Sequence, residues 1–118
     1  MRKVFVLIPP KYGLSTDEVR AYELQIEKIA HKAEKILDEY VELVNMETLL
    51  NYFKEDNSNG KSAKGFIFNS LYSLCNADLA IFAGDWEHSK ECRLLHTIAV
   101  GFDIPIINID TTAEGTNT

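Results

Sequence analysis

Two short segments of the chain contain most of the side chains that could bind or transform a small polar ligand. Lys11 and Tyr12 follow a pair of prolines, and the run from Asp85 to Ser89 combines a carboxylate, an indole, an imidazole and a hydroxyl. A lysine ammonium can hold an anion, and an aromatic ring can stack on a planar group. A serine that begins a helix adds a hydroxyl and unpaired backbone N–H groups. Both segments therefore favour binding of a small charged or planar molecule.

The elements that must position these segments alternate between strand and helix patterns. Apolar runs predict four strands, near residues 3–8, 40–44, 78–83 and 104–109. Ser15 and Glu18 have capping-box spacing, and the apolar residues that follow recur every three or four positions, which predicts a long amphipathic helix. Further helices are predicted over residues 46–53, over residues 66–75 and from Ser89 to about residue 100, with a loop over residues 55–64.

This alternation predicts one α/β domain over residues 1–110, built as a parallel sheet with helices on both faces. Ligands of such sheets bind outside the carboxyl ends of the strands. If the first and third strands are neighbours, the two polar segments face each other across one crevice. We therefore predict a ligand site at the loops that follow these strands. Residues 111–118 are polar and predict a frayed tail.

Composition argues against several classes of function. The chain has 18 acidic and 12 basic residues, a net charge of −6, and no basic cluster, so binding to nucleic acid is disfavoured. No apolar run is long enough to span a bilayer, and the two cysteines are isolated, so a cytoplasmic protein is expected. His88, Cys92 and His96 recur every four residues. The outer two would lie about 12 Å apart along a helix, so the sequence predicts no metal site and no other cofactor.

The stretch Leu74–Ser89 (LCNADLAIFAGDWEHS) resembles the nucleoside 2-deoxyribosyltransferase superfamily, which includes nucleoside 5′-monophosphate N-glycosidases. The likeness is greatest to a short, phage-rich branch of unknown function. The positions that match its pattern are Asp78, Gly84, Trp86, Ser89, Ala99 and Pro105. The resemblance implies a Rossmann- or flavodoxin-like fold of the deoxyribosyltransferase type, and an assembly of two or more copies.

The chemistry of this superfamily uses a Glu carboxylate that attacks the anomeric carbon of a sugar and forms a covalent intermediate. That carboxylate stands four residues before the helix alanine, which is Ala99 in this chain, and the position is occupied by Leu95. Leucine has no nucleophilic group, so the inherited mechanism is expected to be lost. Glu91, one helical turn before Leu95, and Asp85 are the weak candidates for a substitute carboxylate.

The predicted ligand-binding residues lie at the ends of strands one and three or in the loops beside them. They are Pro9, Lys11, Tyr12, Asp78, Asp85, Trp86 and Ser89. The resemblance implies that Ser89 contacts a 5′-phosphate and that Asp78 sits where the sugar or a catalytic residue is held. Trp86 could stack on a base. Each has a structural alternative, since Asp78 can cap a backbone turn, Trp86 can pack onto the domain and Ser89 can be an ordinary N-cap.

Three functions remain open. The leading one is binding of a nucleotide or nucleoside-derived molecule by a catalytically degenerate protein. Because the branch it resembles is phage-rich, one form is a viral protein that sequesters a nucleotide signal of host defence. The second is an active N-glycosidase or deoxyribosyltransferase that uses Glu91 or Asp85. The third is a protein–protein interaction module. A homodimer is expected, with an apolar patch supplied by Phe66, Phe68 and Tyr72.

Overall fold

The strands form the parallel sheet that the sequence predicts. The computed structural model describes residues 1–56 and 58–110. Its strands are β1 (Arg2–Leu7), β2 (Val41–Leu43), β3 (Leu79–Ala83) and β4 (Ile106–Ile109). They lie in the order β2-β1-β3-β4, and every neighbouring pair is parallel. This α/β architecture is compatible with a Rossmann- or flavodoxin-like fold. Because β1 and β3 are neighbours, their carboxyl ends open at the same edge of the sheet.

Helices make each connection between the strands. They are α1 (Thr16–Leu37), α2 (Met46–Lys54), α3 (Lys61–Asn76) and α4 (Lys90–Gly101). The predicted capping box begins α1. The Ser15 hydroxyl accepts from the Glu18 N–H, and the Glu18 carboxylate accepts from the Ser15 N–H. The second of these bonds holds the pKa of Glu18 below its ordinary value.

The start of α3 is the main difference from the predicted elements. The helix begins at Lys61, whereas the sequence predicts a loop to residue 64 and a helix only from Phe66. Gly60 precedes it with a φ of 71°, in the left-handed region that glycine adopts without steric cost. The flexible composition of this stretch therefore marks a turn at one residue rather than a loop that lasts to residue 64.

The core lies on both faces of the two central strands. Every residue from Val4 to Ile8 and from Leu79 to Ala83 is at most 2% exposed. A row of aromatic rings joins the helices, with Phe53 of α2 centred 4.7 Å from Tyr22 of α1 and 6.2 Å from Phe66 of α3. Burial of this kind contributes about 1.5–3 kcal/mol for each large side chain. Continuous burial of both strands is why their sequences read as unbroken apolar runs.

Three further sequence predictions concern an apolar surface patch, membrane spans and the C-terminal tail. Phe66 is 1% exposed, so it belongs to the core and not to the predicted surface patch, whereas Phe68 and Tyr72 are exposed. Within residues 1–56 and 58–110, no helix combines the length and the apolar character needed to cross a membrane. The tail predicted for residues 111–118 lies outside the described residues.

Candidate functional site

A cleft of about 380 Å³ lies at the carboxyl edge of the two central strands. The chain after β1, one side of α1 and the loop after β3 form its walls. The residues that line it are Ile8, Pro9, Lys11, Tyr22, Gln25, Gly84, Asp85, His88 and Ser89. Gly84 has a φ of 65°, so the turn out of β3 uses a conformation that favours glycine. The cleft occupies the crevice in which parallel sheets usually bind ligands.

The cleft brings together four of the seven predicted ligand-binding residues, which are Pro9, Lys11, Asp85 and Ser89. The other three do not line it, and they are Tyr12, Asp78 and Trp86. The sequence does not predict Tyr22 or Gln25 as site residues, and it places His88 within the predicted loop without naming it among the seven ligand-binding residues. A partial signal for Tyr22 existed, because a phenol within an apolar helix stripe needs a polar partner when it is half-buried.

Ser89 acts as the N-cap of α4 and also lines the cleft. Its hydroxyl accepts a hydrogen bond of 3.2 Å from the N–H of Cys92. The first N–H groups of a helix have no carbonyl partner inside the helix, and they carry a partial positive charge. The two interpretations of Ser89 are therefore compatible. The start of α4 gives this side of the cleft an electropositive character.

Asp85 and His88 form a hydrogen-bonded pair on the rim of the cleft. Asp85 precedes a short 3₁₀ turn, Trp86–His88, and His88 is the last residue of that turn. His88 Nδ1 lies 2.5 Å from Asp85 Oδ1. This hydrogen bond, helped by the charge of the carboxylate, raises the pKa of His88 above its ordinary value. Both side chains are largely exposed, so the pair can meet a ligand that enters from solvent.

Tyr22 fixes the chain that follows β1. Its hydroxyl donates to the Pro9 carbonyl oxygen at 3.0 Å, and its ring packs on Phe53. Burial raises the pKa of Tyr22 to about 12, so the phenol remains a neutral donor at physiological pH. Gln25, on the next turn of α1, brings its side-chain nitrogen to within 4.0 Å of the position that a Cβ on Gly84 would occupy. Tyr22 therefore joins α1 to the loop after β1, and Gln25 lies beside the loop after β3.

Tyr12 and Glu91 are hydrogen-bonded to each other outside the cleft. The Tyr12 hydroxyl donates to Glu91 Oε2 at 3.2 Å. Burial and the charge of Glu91 raise the pKa of Tyr12 well above its ordinary value. Neither side chain lines the cleft. Of the two candidate substitute carboxylates, only Asp85 is placed to meet a ligand there.

The buried face of α4 contains the position where the resemblance expects a nucleophile. Leu95 is fully buried in the core together with Ala99, and Cys92 is buried on the same face. Burial raises the pKa of the Cys92 thiol to about 11, which makes it an unreactive thiol at neutral pH. Leu95 is therefore a packing residue, and it does not line the cleft.

Trp86 packs onto the domain, as its structural alternative predicts. Its ring stacks on His96 with a centroid separation of 4.5 Å and an interplanar angle of 19°, and it lies 5.3 Å from the ring of Phe82. Its side chain is half-buried and does not line the cleft. The indole therefore anchors the loop after β3 rather than offering a stacking face to a ligand in the cleft.

Asp78 lies at the opposite, amino edge of the sheet. Its Oδ2 accepts a hydrogen bond of 2.9 Å from the N–H of Lys3 and so joins the starts of β1 and β3. The five residues of β3 separate Asp78 from Gly84 and the cleft. The structure therefore does not bring Asp78 and Ser89 to one ligand, and the backbone-capping alternative describes the contact that Asp78 makes.

Comparison with known proteins finds no match to this chain. No protein-family model matches the chain, and no curated protein or solved structure is significantly similar to it. In the described part of the chain, no three His, Cys, Asp or Glu side chains are grouped so that they could hold a metal ion.

Proposed function

We propose that this protein binds a small anionic ligand of the nucleotide class in the cleft between β1 and β3. One observation carries the proposal: Lys11 and the start of α4 at Ser89 both line a single cleft at the carboxyl edge of the central strands. A lysine ammonium and the N-terminal end of a helix both favour a bound phosphate. This local field opposes the net charge of −6 of the whole chain.

The nucleoside portion of the ligand is supported by the remaining walls and by the resemblance to the deoxyribosyltransferase superfamily. The cleft volume of about 380 Å³ lies within the range of small-molecule sites. Ile8 and Pro9 supply apolar surface, and the Gln25 amide can both donate and accept hydrogen bonds. Because Tyr12 and Trp86 are engaged elsewhere, the base would be held by Pro9 and Gln25 rather than between aromatic rings.

Binding without cleavage of the ligand is supported by the burial of Leu95. A glycosidic bond is broken slowly unless a nucleophile or a positioned base lowers the barrier. The position that the resemblance assigns to the nucleophile holds an apolar side chain inside the core. The resemblance to a phage-rich branch also supports one specific form of this function, a viral protein that sequesters a nucleotide signal of host defence.

Titration calorimetry with nucleoside 5′-monophosphates and the corresponding nucleosides tests the proposal. We expect tighter binding of the monophosphates, and Lys11→Ala should weaken it by about two- to tenfold, more at low salt than at high salt. Lys64→Ala, at an exposed lysine of α3 that does not line the cleft, is the matched control and should bind normally. Failure of every monophosphate to bind, or an equal effect of the two lysine variants, would refute the proposal.

Hydrolysis of the N-glycosidic bond of the same ligand is a second candidate function, and the Asp85–His88 pair favours it. A carboxylate hydrogen-bonded to an imidazole on the rim of a cleft can act as a general base toward water. Chromatography after incubation with nucleoside 5′-monophosphates distinguishes the two functions. Free base that disappears in Asp85→Asn would support the enzyme, and intact ligand recovered after heat denaturation would support the binder.

We also propose that the chain forms a homodimer through α3. Phe68 is 73% exposed and Tyr72 is 65% exposed, and they lie one turn apart on the same face of the helix. Adjacent exposed aromatic rings of this kind are typical of protein–protein contacts. Light scattering should give a dimer that Phe68→Glu converts to a monomer. A wild-type monomer at high concentration would contradict this.

A further inference from the structure

We infer that His88 is the residue through which the cleft distinguishes a phosphorylated ligand from its uncharged counterpart, with Asp85 as the residue that orients the His88 ring. The inference rests on the proposed function, because it assigns specificity to a side chain of the same cleft. It concerns the charge of the ligand and not the identity of its base.

The hydrogen bond to Asp85 leaves one polar atom of the His88 ring for a ligand. Nδ1 faces the Asp85 carboxylate, so Nε2 is the remaining ring nitrogen. In the protonated ring both nitrogens donate, and Nε2–H can then bond to an oxygen of a phosphate. In the neutral ring that donates through Nδ1, Nε2 is only an acceptor and would face the phosphate oxygens with a lone pair.

The protonation of His88 sets the net charge of the side chains that line the cleft. Only Lys11, Asp85 and His88 carry ionisable charge near neutral pH among the lining residues. Lys11 and Asp85 cancel, so the lining side chains sum to zero when His88 is neutral and to +1 when it is protonated. Electrostatic attraction of an anion by these side chains therefore depends on His88.

The other groups that face His88 leave this balance in place. Glu87, in the same 3₁₀ turn, raises the pKa of His88, and Arg93, on the first turns of α4, lowers it. From the remaining walls, α1 contributes the uncharged Tyr22 and Gln25. The start of α4 adds only a partial positive charge, which does not change with pH.

Thermodynamic linkage gives the direction of the effect. Asp85 already raises the pKa of His88 above its ordinary value, and a bound anion should raise it further. By reciprocity, the cleft binds an anion more tightly below that pKa and releases it as the pH rises through it. The charge of His88 attracts an uncharged ligand far less, so the affinity for such a ligand should stay constant as the pH changes.

Sulfate is the probe of choice because its charge is constant between about pH 5.5 and 8.5, whereas a phosphate ester itself titrates near pH 6. We expect sulfate to raise the pKa of His88 in an NMR titration of the ring. Its affinity should fall by about two- to fivefold across this range, the modest size expected for an exposed pair. His88→Gln should abolish the pH dependence, and Asp85→Asn should move it to lower pH.

His31 provides a matched control within the same chain. Its Nδ1 lies 3.0 Å from the carboxylate of Glu34, at the same spacing of three residues, but on α1 and outside the cleft. His31→Gln should therefore leave the pH dependence unchanged. An equal loss in His31→Gln and His88→Gln would overturn the inference, because the effect would then be a property of the total charge.

The remaining outcomes separate this inference from the function on which it rests. If nucleoside 5′-monophosphates bind, but sulfate leaves the His88 ring unchanged or binds with the same pH profile in His88→Gln, the inference is overturned and the proposed function stands. If neither sulfate nor any monophosphate binds at any pH, both are overturned.

Discussion

The two edges of the sheet hold cavities that differ in size and in the roles of their charged side chains. At the amino edge a groove of about 600 Å³ is lined by Met1, Arg2, Glu39, Tyr40 and Asp78. Its charged side chains are already engaged: Arg2 pairs with Glu39, and Asp78 accepts from the Lys3 N–H. Although this groove is larger than the cleft at the carboxyl edge, its charged side chains make contacts within the protein.

The direction of the chain explains the contrast. The helices that lead directly into the next strand, α1, α3 and α4, run against the strands, so they begin at the carboxyl edge and end at the amino edge. Helix starts present N–H groups, and helix ends present carbonyl groups. Near the end of α1 a second groove at the amino edge is lined by more carboxylates than cations: Glu34, Asp38 and Glu39 stand against Lys35 and the imidazole of His31. An anionic ligand is therefore favoured at the smaller cavity, and the comparison shows that volume alone does not select a site.

The largest expected effect tests whether Leu95 belongs to the core beneath the carboxyl edge or to the cleft itself. Leu95→Glu would place a carboxylate among apolar side chains, and we expect a loss of at least about 3 kcal/mol in the free energy of unfolding. Leu94→Glu is the matched control, because Leu94 is 49% exposed and should lose less than about 1 kcal/mol. Urea denaturation measures both. A Leu95→Glu protein of wild-type stability would show that this position opens to solvent.

A smaller effect is expected from the indole that anchors the loop after β3. Trp86→Ala removes the contacts with His96 and Phe82, and we expect it to lower the free energy of unfolding by about 2 kcal/mol, since the ring is only half-buried. Ligand affinity should change by less than about twofold, far below the usual effect of losing a stacked base. Tyr72→Ala, at an exposed ring on α3, should leave the stability of the monomer unchanged. A tenfold loss of ligand affinity in Trp86→Ala would place the base against the indole after all.

The fold was predictable because its main signals are local or depend only on chain direction. Apolar runs predict buried parallel strands, and the capping box of Ser15 and Glu18 predicts the start of α1, which the structure confirms. The Ser89 cap predicts α4 in the same way. Once the strands are parallel and β1 lies beside β3, the edge with the cleft follows.

The side chains of the site were less predictable because their directions depend on contacts between distant elements. Tyr12 and Trp86 are aromatic residues in loops, and the sequence does not show whether such a ring faces a ligand or packs within the protein. In the structure Tyr12 is hydrogen-bonded to Glu91, and Trp86 stacks on His96. The resemblance places Asp78 in the ligand site, whereas the five residues of β3 that follow Asp78 separate it from the carboxyl edge. Position along a strand is a safer guide to the site than residue type alone.

The smallest expected effect concerns the hydrogen bond that keeps Glu91 outside the cleft. Tyr12→Phe removes the hydroxyl that donates to Glu91 Oε2, and the freed carboxylate can then turn toward the start of α4. A like charge there should weaken sulfate binding by about twofold or less, because both groups are partly hydrated. Glu91→Gln alone should tighten binding slightly. The double variant should match Glu91→Gln, because Tyr12 then has no charge to restrain. A loss in Tyr12→Phe that persists in the double variant would mean that Tyr12 contacts the ligand itself, and it would return this side chain to the cleft from which the structure separates it.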